Sequence, residues 1–220
     1  MNHYKLIIFD FDGTLFATRE AVLFCIHSAY ETLGLAVPAR ELSDRGIQTG
    51  LSMGSILKKL SPELSEAKSQ TLLDTYERIY LEEGDSKSSA FTRADEVLTK
   101  LGAAGFILTI VSNKAVTPIN TALEYFNLLQ HIALVVGDTK TLRKKPDPMA
   151  YTDYIQPKFS TILPREILVI GDTAADLLFA RNIGADSCWA EYGYGDAVAC
   201  RALKPNYSIR HLTDVLDILL

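Results

Sequence analysis

The chain has 220 residues, of which 48% are hydrophobic and 22% are charged, a composition typical of a globular protein with a sizeable buried core. The formal net charge of −5 and the lack of a dense Lys/Arg run exclude the basic surface that nucleic-acid binding needs. No apolar stretch approaches the roughly 20 residues that span a bilayer. The three widely spaced cysteines predict reduced thiols. We therefore expect a cytoplasmic protein with no nucleic-acid or membrane partner, and the sequence leaves monomer or homodimer undetermined.

Short apolar runs predict the strands of a sheet that is covered on both faces, because most of them are continuously apolar rather than alternating. The runs are 4–9, 106–111, 132–136, 166–170 and 185–190. Helical patterns follow at 92–104, 115–128, 148–159, 174–183 and 210–219. Strands that alternate with helices predict an α/β fold with a doubly wound parallel sheet, Rossmann-like in its layers.

Residues 16–90 interrupt this alternation. They contain no convincing strand, and helical stretches are predicted at 18–33, 39–46, 52–60 and 63–83. The polar segment 84–89 (GDSKSS) predicts a flexible return to the core. We therefore predict a core domain formed by residues 1–15 and 91–220, with a helical cap domain, residues 16–90, inserted after the first strand.

Polar residues follow four of the predicted strands at their carboxyl ends, where ligands bind in sheets of this type. They are Asp10, Asp12, Gly13 and Thr14 after the first run, Ser112, Asn113 and Lys114 after the second, Gly137, Asp138, Lys144 and Lys145 after the third, and Gly171, Asp172, Thr173 and Asp176 after the fourth. Since these strand ends share one edge of a parallel sheet, we expect carboxylates, a hydroxyl and a lysine to meet in one site.

This set of side chains predicts phosphoryl transfer with Mg²⁺ as the cofactor. Crowded carboxylates repel one another unless a hard cation lies among them, and Mg²⁺ usually takes one or two carboxylates together with water and substrate phosphate. Asp10 and Asp172 are the predicted direct ligands, and Asp176 is left open between direct and water-mediated ligation. A carboxylate can also attack phosphorus to form an acyl phosphate, while a hydroxyl and a lysine hold phosphoryl oxygens.

Four segments in this order, DFDGT, VSNK, KKPDP and GDTAAD, resemble the motifs of the haloacid dehalogenase-like hydrolase superfamily, in particular its phosphoglycolate-phosphatase-like branch with a small helical cap. The resemblance implies that Asp10 is the nucleophile and that Asp12 is the general acid and then the general base. It also implies that the backbone carbonyl of Asp12 reaches the metal, that Asp172 is a metal ligand, and that Ser112 and Lys145 bind phosphate. Asn113 is assigned to the same phosphate-binding set.

The substrate predicted from this resemblance is a small phosphorylated metabolite, with phosphoglycolate as the first expectation. A β-phosphoglucomutase-like phosphosugar mutase keeps both aspartates, but its members carry a histidine near the position of Val22. A pyrophosphatase would show the same core motifs. From a different class, a catalytically silent binding or regulatory protein remains an alternative, although every motif position expected to act is intact.

Specificity is predicted to lie in the cap segment 43–52 (SDRGIQTGLS), interpreted as a loop between two cap helices. Arg45, Gln48 and Thr49 can donate hydrogen bonds to a leaving group, and glycines at 46 and 50 permit tight turns near a ligand. An ordinary polar helix connection with a solvated Arg45 is the competing interpretation.

Overall fold

The computed structural model describes residues 3–139 and 141–220. Its strands are β1 (Leu6–Phe9), β2 (Phe16–Ala17), β3 (Ser89–Ala90), β4 (Ile107–Ala115), β5 (Leu134–Asp138), β6 (Ile167–Gly171), β7 (Asp186–Ala190) and β8 (Tyr207–Ile209). Six of them form a parallel sheet in the order β5-β4-β1-β6-β7-β8, and β2 and β3 form a separate antiparallel pair. The predicted doubly wound α/β fold is therefore confirmed.

The α-helices are α1 (Arg19–Thr32), α2 (Arg40–Gln48), α3 (Met53–Leu60), α4 (Glu66–Glu83), α5 (Ala94–Ala103), α6 (Val116–Tyr125), α7 (Gln156–Lys158), α8 (Ala174–Ile183), α9 (Ala197–Ala202) and α10 (Val215–Leu219). A π-helical turn, Tyr151–Ile155, leads directly into α7. No helix of the described residues is long and apolar enough to cross a membrane.

The sheet is buried on both faces because each central strand sends alternate apolar side chains into two different cores. Ile7 and Phe9 of β1 pack in the cluster that contains residues of α5, α6 and α10. Leu6 and Ile8 pack on the other face with residues of α8 and the π-helical turn. The alternation follows from the period of two in a strand, and it explains why LIIF is continuously apolar.

The helices between β2 and β3 have an apolar core of their own. It includes Cys25, Ile26 and Tyr30 of α1, together with Leu72 and Tyr76 of α4. The chain enters this helical unit through β2 and leaves it through β3, whose register pairs Phe16 with Ala90. The helical unit is therefore joined to the rest of the chain through the antiparallel pair β2–β3.

Several sequence-based boundaries are wrong. Residues 16–90 do contain strand, because β2 and β3 pair with each other across more than seventy residues. Strand β8 was not predicted, since its three residues carry a short and only partly apolar pattern. The second predicted strand continues beyond residue 111 to Ala115, with an irregular register after Val111.

Candidate active site

Three buried carboxylates meet at the carboxyl end of β1 and β6. One oxygen from each of Asp10, Asp172 and Asp176 lies within 4.8 Å of the others. Asp10 follows β1, which has β4 on one side and β6 on the other. The strand order reverses at β1, so the cluster lies at the topological switch point of the sheet. This is the edge at which the sequence predicted the site.

Glycine backbone surrounds Asp172 closely enough to exclude any side chain. A Cβ atom on Gly13, whose φ is +75°, would lie 2.3 Å from Asp172 Oδ2, and one on Gly193 would lie 2.1 Å from the Asp172 Cβ. The backbone N–H of Tyr194 donates a hydrogen bond of 2.6 Å to Asp172 Oδ2. The DFDGT turn and the aromatic–glycine turn after β7 therefore hold this carboxylate from two sides.

Lys145 is the buried cation of the site. Its Nζ lies 2.9 Å from Asp10 Oδ1 and 2.5 Å from Asp176 Oδ1, and it donates a 2.7 Å hydrogen bond to the Val111 carbonyl. Burial alone would lower the pKa of Lys145, but the carboxylates of Asp10 and Asp176 more than offset it and raise that pKa. The ammonium therefore stays charged beside the two carboxylates.

The carboxylates are nevertheless crowded. Burial, followed by the charge of Asp176, raises the pKa of Asp10 to about 7 even though Lys145 acts in the opposite direction. Burial, Asp176 and Asp10 likewise raise the pKa of Asp172 well above its usual value. Three carboxylates with one lysine leave negative charge that a hard cation would neutralise, and an all-oxygen donor set fits Mg²⁺.

Both carboxylate oxygens of Asp176 have partners within the protein. Its Oδ2 accepts hydrogen bonds from the backbone N–H and the hydroxyl of Thr173, at 2.9 and 2.7 Å, and its Oδ1 faces Lys145. Asp176 is thus both the N-terminal capping partner of α8 and the residue that holds Lys145. Asp176 therefore combines a structural role at the start of α8 with a place in the carboxylate cluster.

The carboxylate of Asp12 points away from this cluster. Its Oδ1 accepts a 2.6 Å hydrogen bond from the hydroxyl of Thr18 and lies 3.1 Å from the ammonium of Lys114. With 29% of its side chain exposed, Asp12 faces the space outside the cluster. The two aspartates of DFDGT therefore have different surroundings, as two different chemical roles require.

Ser112 and Asn113 lie in the irregular end of β4. Both are buried, and the Ser112 hydroxyl accepts a 3.3 Å hydrogen bond from the Lys114 backbone N–H. The Asn113 side chain is committed to backbone: it accepts from Lys145 N at 2.8 Å and donates to the Gly50 carbonyl at 2.7 Å. Its side chain therefore positions Lys145 and the helical unit, which is a different task from the predicted phosphate contact.

A cavity of about 1000 Å³ opens between the sheet edge and the helical unit. From the sheet side it is lined by Asp10, Asp12, Ser112, Asn113, Lys114, Asp172 and Thr173. From the helical unit it is lined by residues 50–56 and by one face of α4 that includes Tyr76 and Tyr80. The cavity thus exposes the predicted catalytic residues to a space large enough for a small organic phosphate.

The predicted specificity loop differs from the structure. Residues 43–48 belong to α2, so only 49–52 form a connection. Arg45 and Thr49 are exposed, and neither they nor Gln48 are among the residues that line the cavity. Helical periodicity explains the difference, because α2 turns Arg45 outward while the connection brings Gly50, Leu51 and Ser52 to the cavity wall.

Sequence reasoning missed Thr18, Tyr80 and Tyr194. The Tyr194 hydroxyl accepts hydrogen bonds from the backbone N–H groups of Thr18 and Arg19, at 2.7 and 3.1 Å, and so joins the start of α1 to the turn beside Asp172. Residues 192–195 form an aromatic–glycine turn, but no local pattern pairs it with Thr18. Lys114, which follows the second predicted strand, lies inside the site, with 10% of its side chain exposed.

The chain is similar to known proteins in both sequence and fold. Residues 7–190 match the family model described as haloacid dehalogenase-like hydrolase. A protein of Vibrio vulnificus named phosphoglycolate phosphatase is 28% identical over 98% of this chain and 96% of its own length. A protein of Vibrio cholerae with the same name is 29% identical over 100% of this chain and 99% of its own length. A crystal structure from Haemophilus somnus, titled a predicted phosphoglycolate phosphatase, superposes with a TM-score of 0.89 at 25% identity and covers 100% of both chains.

Proposed function

The chain belongs to the haloacid dehalogenase-like hydrolase family and is a phosphoric monoester hydrolase, and we propose that it hydrolyses a small phosphorylated metabolite with Mg²⁺ through a phosphorylated Asp10. The observation that supports this most directly is the position of the Asp10 carboxylate. It lies against Lys145, beside two further buried carboxylates, and lines the cavity. A carboxylate so placed is a nucleophile that substrate can reach.

The proposed reaction has two steps. In the first, an oxygen of Asp10 attacks phosphorus, the bond from phosphorus to the leaving oxygen breaks, and Asp12 gives that oxygen a proton. In the second, Asp12 takes a proton from water, the water oxygen attacks the acyl phosphate, and phosphate leaves with Asp10 regenerated. The hydrogen bond from Thr18 fixes the Asp12 carboxylate on the leaving-group side.

Ser112 and Lys145 are the proposed phosphate-binding groups. The Lys145 charge offsets negative charge on both Asp10 and the transferred phosphoryl oxygens, and Asp176 and Asn113 hold it in place. The Ser112 hydroxyl lines the same cavity and can donate to a phosphoryl oxygen. Asn113 acts through Lys145 and the helical unit.

Asp10 and Asp172 would hold the Mg²⁺ ion, together with the backbone carbonyl of Asp12. Asp176 would contribute from outside the direct ligand set, because both its oxygens are already engaged by Thr173 and Lys145. When bound, the ion supplies positive charge that relieves the crowding of carboxylates and orients the phosphate.

The helical unit is proposed to act as a cap, residues 16–90, that covers the substrate and excludes water. Phosphoglycolate is the first substrate to test, because relatives that align with nearly the whole chain are named phosphoglycolate phosphatase. A mutase is disfavoured by Val22, an apolar side chain that lines the cavity near the position where those enzymes are expected to carry a histidine.

A purified-enzyme screen against a panel of phosphorylated metabolites, ranked by kcat/KM, tests this proposal. Turnover of the best ester should require Mg²⁺, disappear in EDTA and be inhibited by Ca²⁺, because the larger ion takes more ligands at longer distances. A mutase would convert a sugar phosphate without releasing phosphate. Failure to hydrolyse any ester, including p-nitrophenyl phosphate, would favour the catalytically silent alternative, and full activity in metal-free enzyme would contradict the metal site.

A further inference from the structure

Lys114 is a buried cation on the wall of the cavity, outside the group of residues that hold the phosphate. Its side chain is 10% exposed, and its ammonium lies 3.1 Å from Asp12 Oδ1 and 3.8 Å from the centre of the Tyr80 ring. Tyr80 belongs to α4, so the helical unit supplies the apolar floor beneath the charge. A desolvated ammonium on an aromatic face interacts strongly with any anion that reaches it.

The other lysines that line the cavity differ from Lys114. Lys144 is satisfied by the carboxylate of Asp138 and by two backbone carbonyls, those of Thr139 and Leu142. Lys58 forms an exposed ion pair with Glu66, and 69% of its side chain is exposed. Among the cavity-lining residues that the structure describes, Lys114 is therefore the buried lysine whose ion pair involves one carboxylate, that of Asp12, with a side-chain hydrogen bond to Tyr80 as its further polar contact. An ammonium carries three N–H donors, so one donor is left for a substrate.

The position of Lys114 relative to Asp12 determines which part of the substrate the Lys114 ammonium can contact. The proposed reaction places the leaving oxygen within hydrogen-bond distance of Asp12. A group attached one or two bonds beyond that oxygen then lies beside the ammonium, which is 3.1 Å from the Asp12 carboxylate. The same proposed reaction places the phosphate at Asp10 and Lys145, which contact each other at 2.9 Å.

The acidic side chains on the α4 side of the cavity limit which anionic group can bind beside Lys114. Glu66, Asp74 and Glu77 line the cavity on the α4 side, and Lys58 is the cation near them. A second phosphate, with up to two negative charges, would be repelled by this wall, whereas a carboxylate is smaller and carries a single charge. The balance of charge favours a carboxylate close to the ester oxygen.

We propose that Lys114 is a specificity-determining residue that binds a carboxylate on the leaving group of the substrate. This inference rests on the proposed phosphatase function and adds the residue that distinguishes an acidic leaving group from a neutral one. The Tyr80 ring packs against the Lys114 ammonium. The N–H donors of that ammonium are shared between Asp12 and the substrate carboxylate.

The test compares 2-phosphoglycolate with 2-hydroxyethyl phosphate, which has the same length but a neutral end, in wild type, Lys114→Met and Lys114→Arg. Wild type should prefer the carboxylate ester by about 10- to 100-fold in kcat/KM, the range expected for a charge-assisted hydrogen bond. Lys114→Met should lose most of that preference, and Lys114→Arg should keep it. Lys144→Met is the matched control, since it removes a cavity lysine that lies against Asp138 instead of Asp12.

The ratio of the two esters is the decisive readout, because losing the contact to Asp12 would slow both esters alike. An unchanged ratio in Lys114→Met, or a wild type with no preference for the carboxylate, would overturn the role of Lys114 while phosphatase activity stands. No turnover of either ester or of p-nitrophenyl phosphate would overturn the proposed function, and the inference with it. A wild-type preference for ethylene glycol bisphosphate over 2-phosphoglycolate would overturn the assignment of the anion as a carboxylate.

Discussion

Gly50 packs directly against Thr173. A Cβ atom on Gly50 would lie 2.4 Å from the Thr173 Oγ1, and the Gly50 carbonyl accepts a 2.7 Å hydrogen bond from Asn113. The connection after α2 therefore packs on the turn that carries Asp172 and leads into α8. Contact this close depends on the missing side chain, and it holds the helical unit over the site.

Gly50→Ala should weaken this contact and lower kcat/KM for the best natural ester by at least about 10-fold, equivalent to about 1.4 kcal/mol. The methyl group would collide with Thr173, so the helical unit must shift away from the site. Steady-state kinetics measures the effect. Gly34→Ala is the matched control, because Gly34 also has a positive φ, +63°, but has no atom within 4 Å of the added Cβ.

Gly34→Ala should therefore show only the backbone cost of a positive φ, about 1–2 kcal/mol in the free energy of unfolding, with normal kinetics. Equal kinetic losses in the two variants would show that backbone strain, and not the Thr173 contact, explains the effect of Gly50→Ala.

Asp10→Asn should abolish turnover and leave the fold intact, since an amide is a poor nucleophile and a poor Mg²⁺ ligand. Loss of the nucleophile in a covalent mechanism costs several orders of magnitude in kcat. Lys145 keeps its ion pair with Asp176, so the buried ammonium is not left alone. Circular dichroism and kcat are the measurements, with the exposed Asp217→Asn as the control. Retention of about a tenth of wild-type kcat would contradict the assignment.

Asp12→Ala should lower kcat for alkyl phosphates by about 10²–10⁴-fold, the usual contribution of general acid–base catalysis. The loss should be smaller for p-nitrophenyl phosphate, because nitrophenolate leaves without needing a proton. The ratio of kcat values for the two substrates is the measurement. Equal losses with both leaving groups would argue that Asp12 is not the acid.

The metal-free protein should lose stability as the pH rises from about 4 to about 7. Burial and Asp176 raise the pKa of Asp10 to about 7 in the folded state, whereas an unfolded aspartate titrates near ~3.9. Between these values the folded state binds a proton that the unfolded state does not, so the free energy of unfolding falls with rising pH. Asp172, whose pKa is also raised, acts in the same direction.

Urea unfolding in EDTA across this pH range measures the effect. Asp10→Asn should show a shallower decline than wild type, because the amide mimics the neutral carboxyl at every pH. Parallel curves for the two proteins would show that Asp10 does not titrate between those pH values.

The sequence alone determined the α/β fold and the place of the carboxylate cluster. Asp10 and Asp172 follow two continuously apolar runs, and the carboxyl ends of parallel strands meet at one edge, so local pattern was sufficient to bring them together. Lys145 was singled out from Lys144 by the resemblance of KKPDP to a family motif, and the helical insertion was predicted from the break in strand–helix alternation. The predictions of the fold and of the carboxylate cluster depend on hydrophobic periodicity and on the positions of strand ends, and both can be read from residues that are close together in the sequence.

Tertiary structure alone decided how the other residues are used. Asp12 and Lys114 are 102 positions apart, and their ion pair exists because β1 and β4 are neighbours and α4 brings Tyr80 beneath the lysine. Arg45 was predicted at the site, but it is turned outward by the helical phase of α2, while Gly50 reaches Thr173. Strands β2 and β3 form by pairing across more than seventy residues, and such pairing leaves no signal in a local pattern.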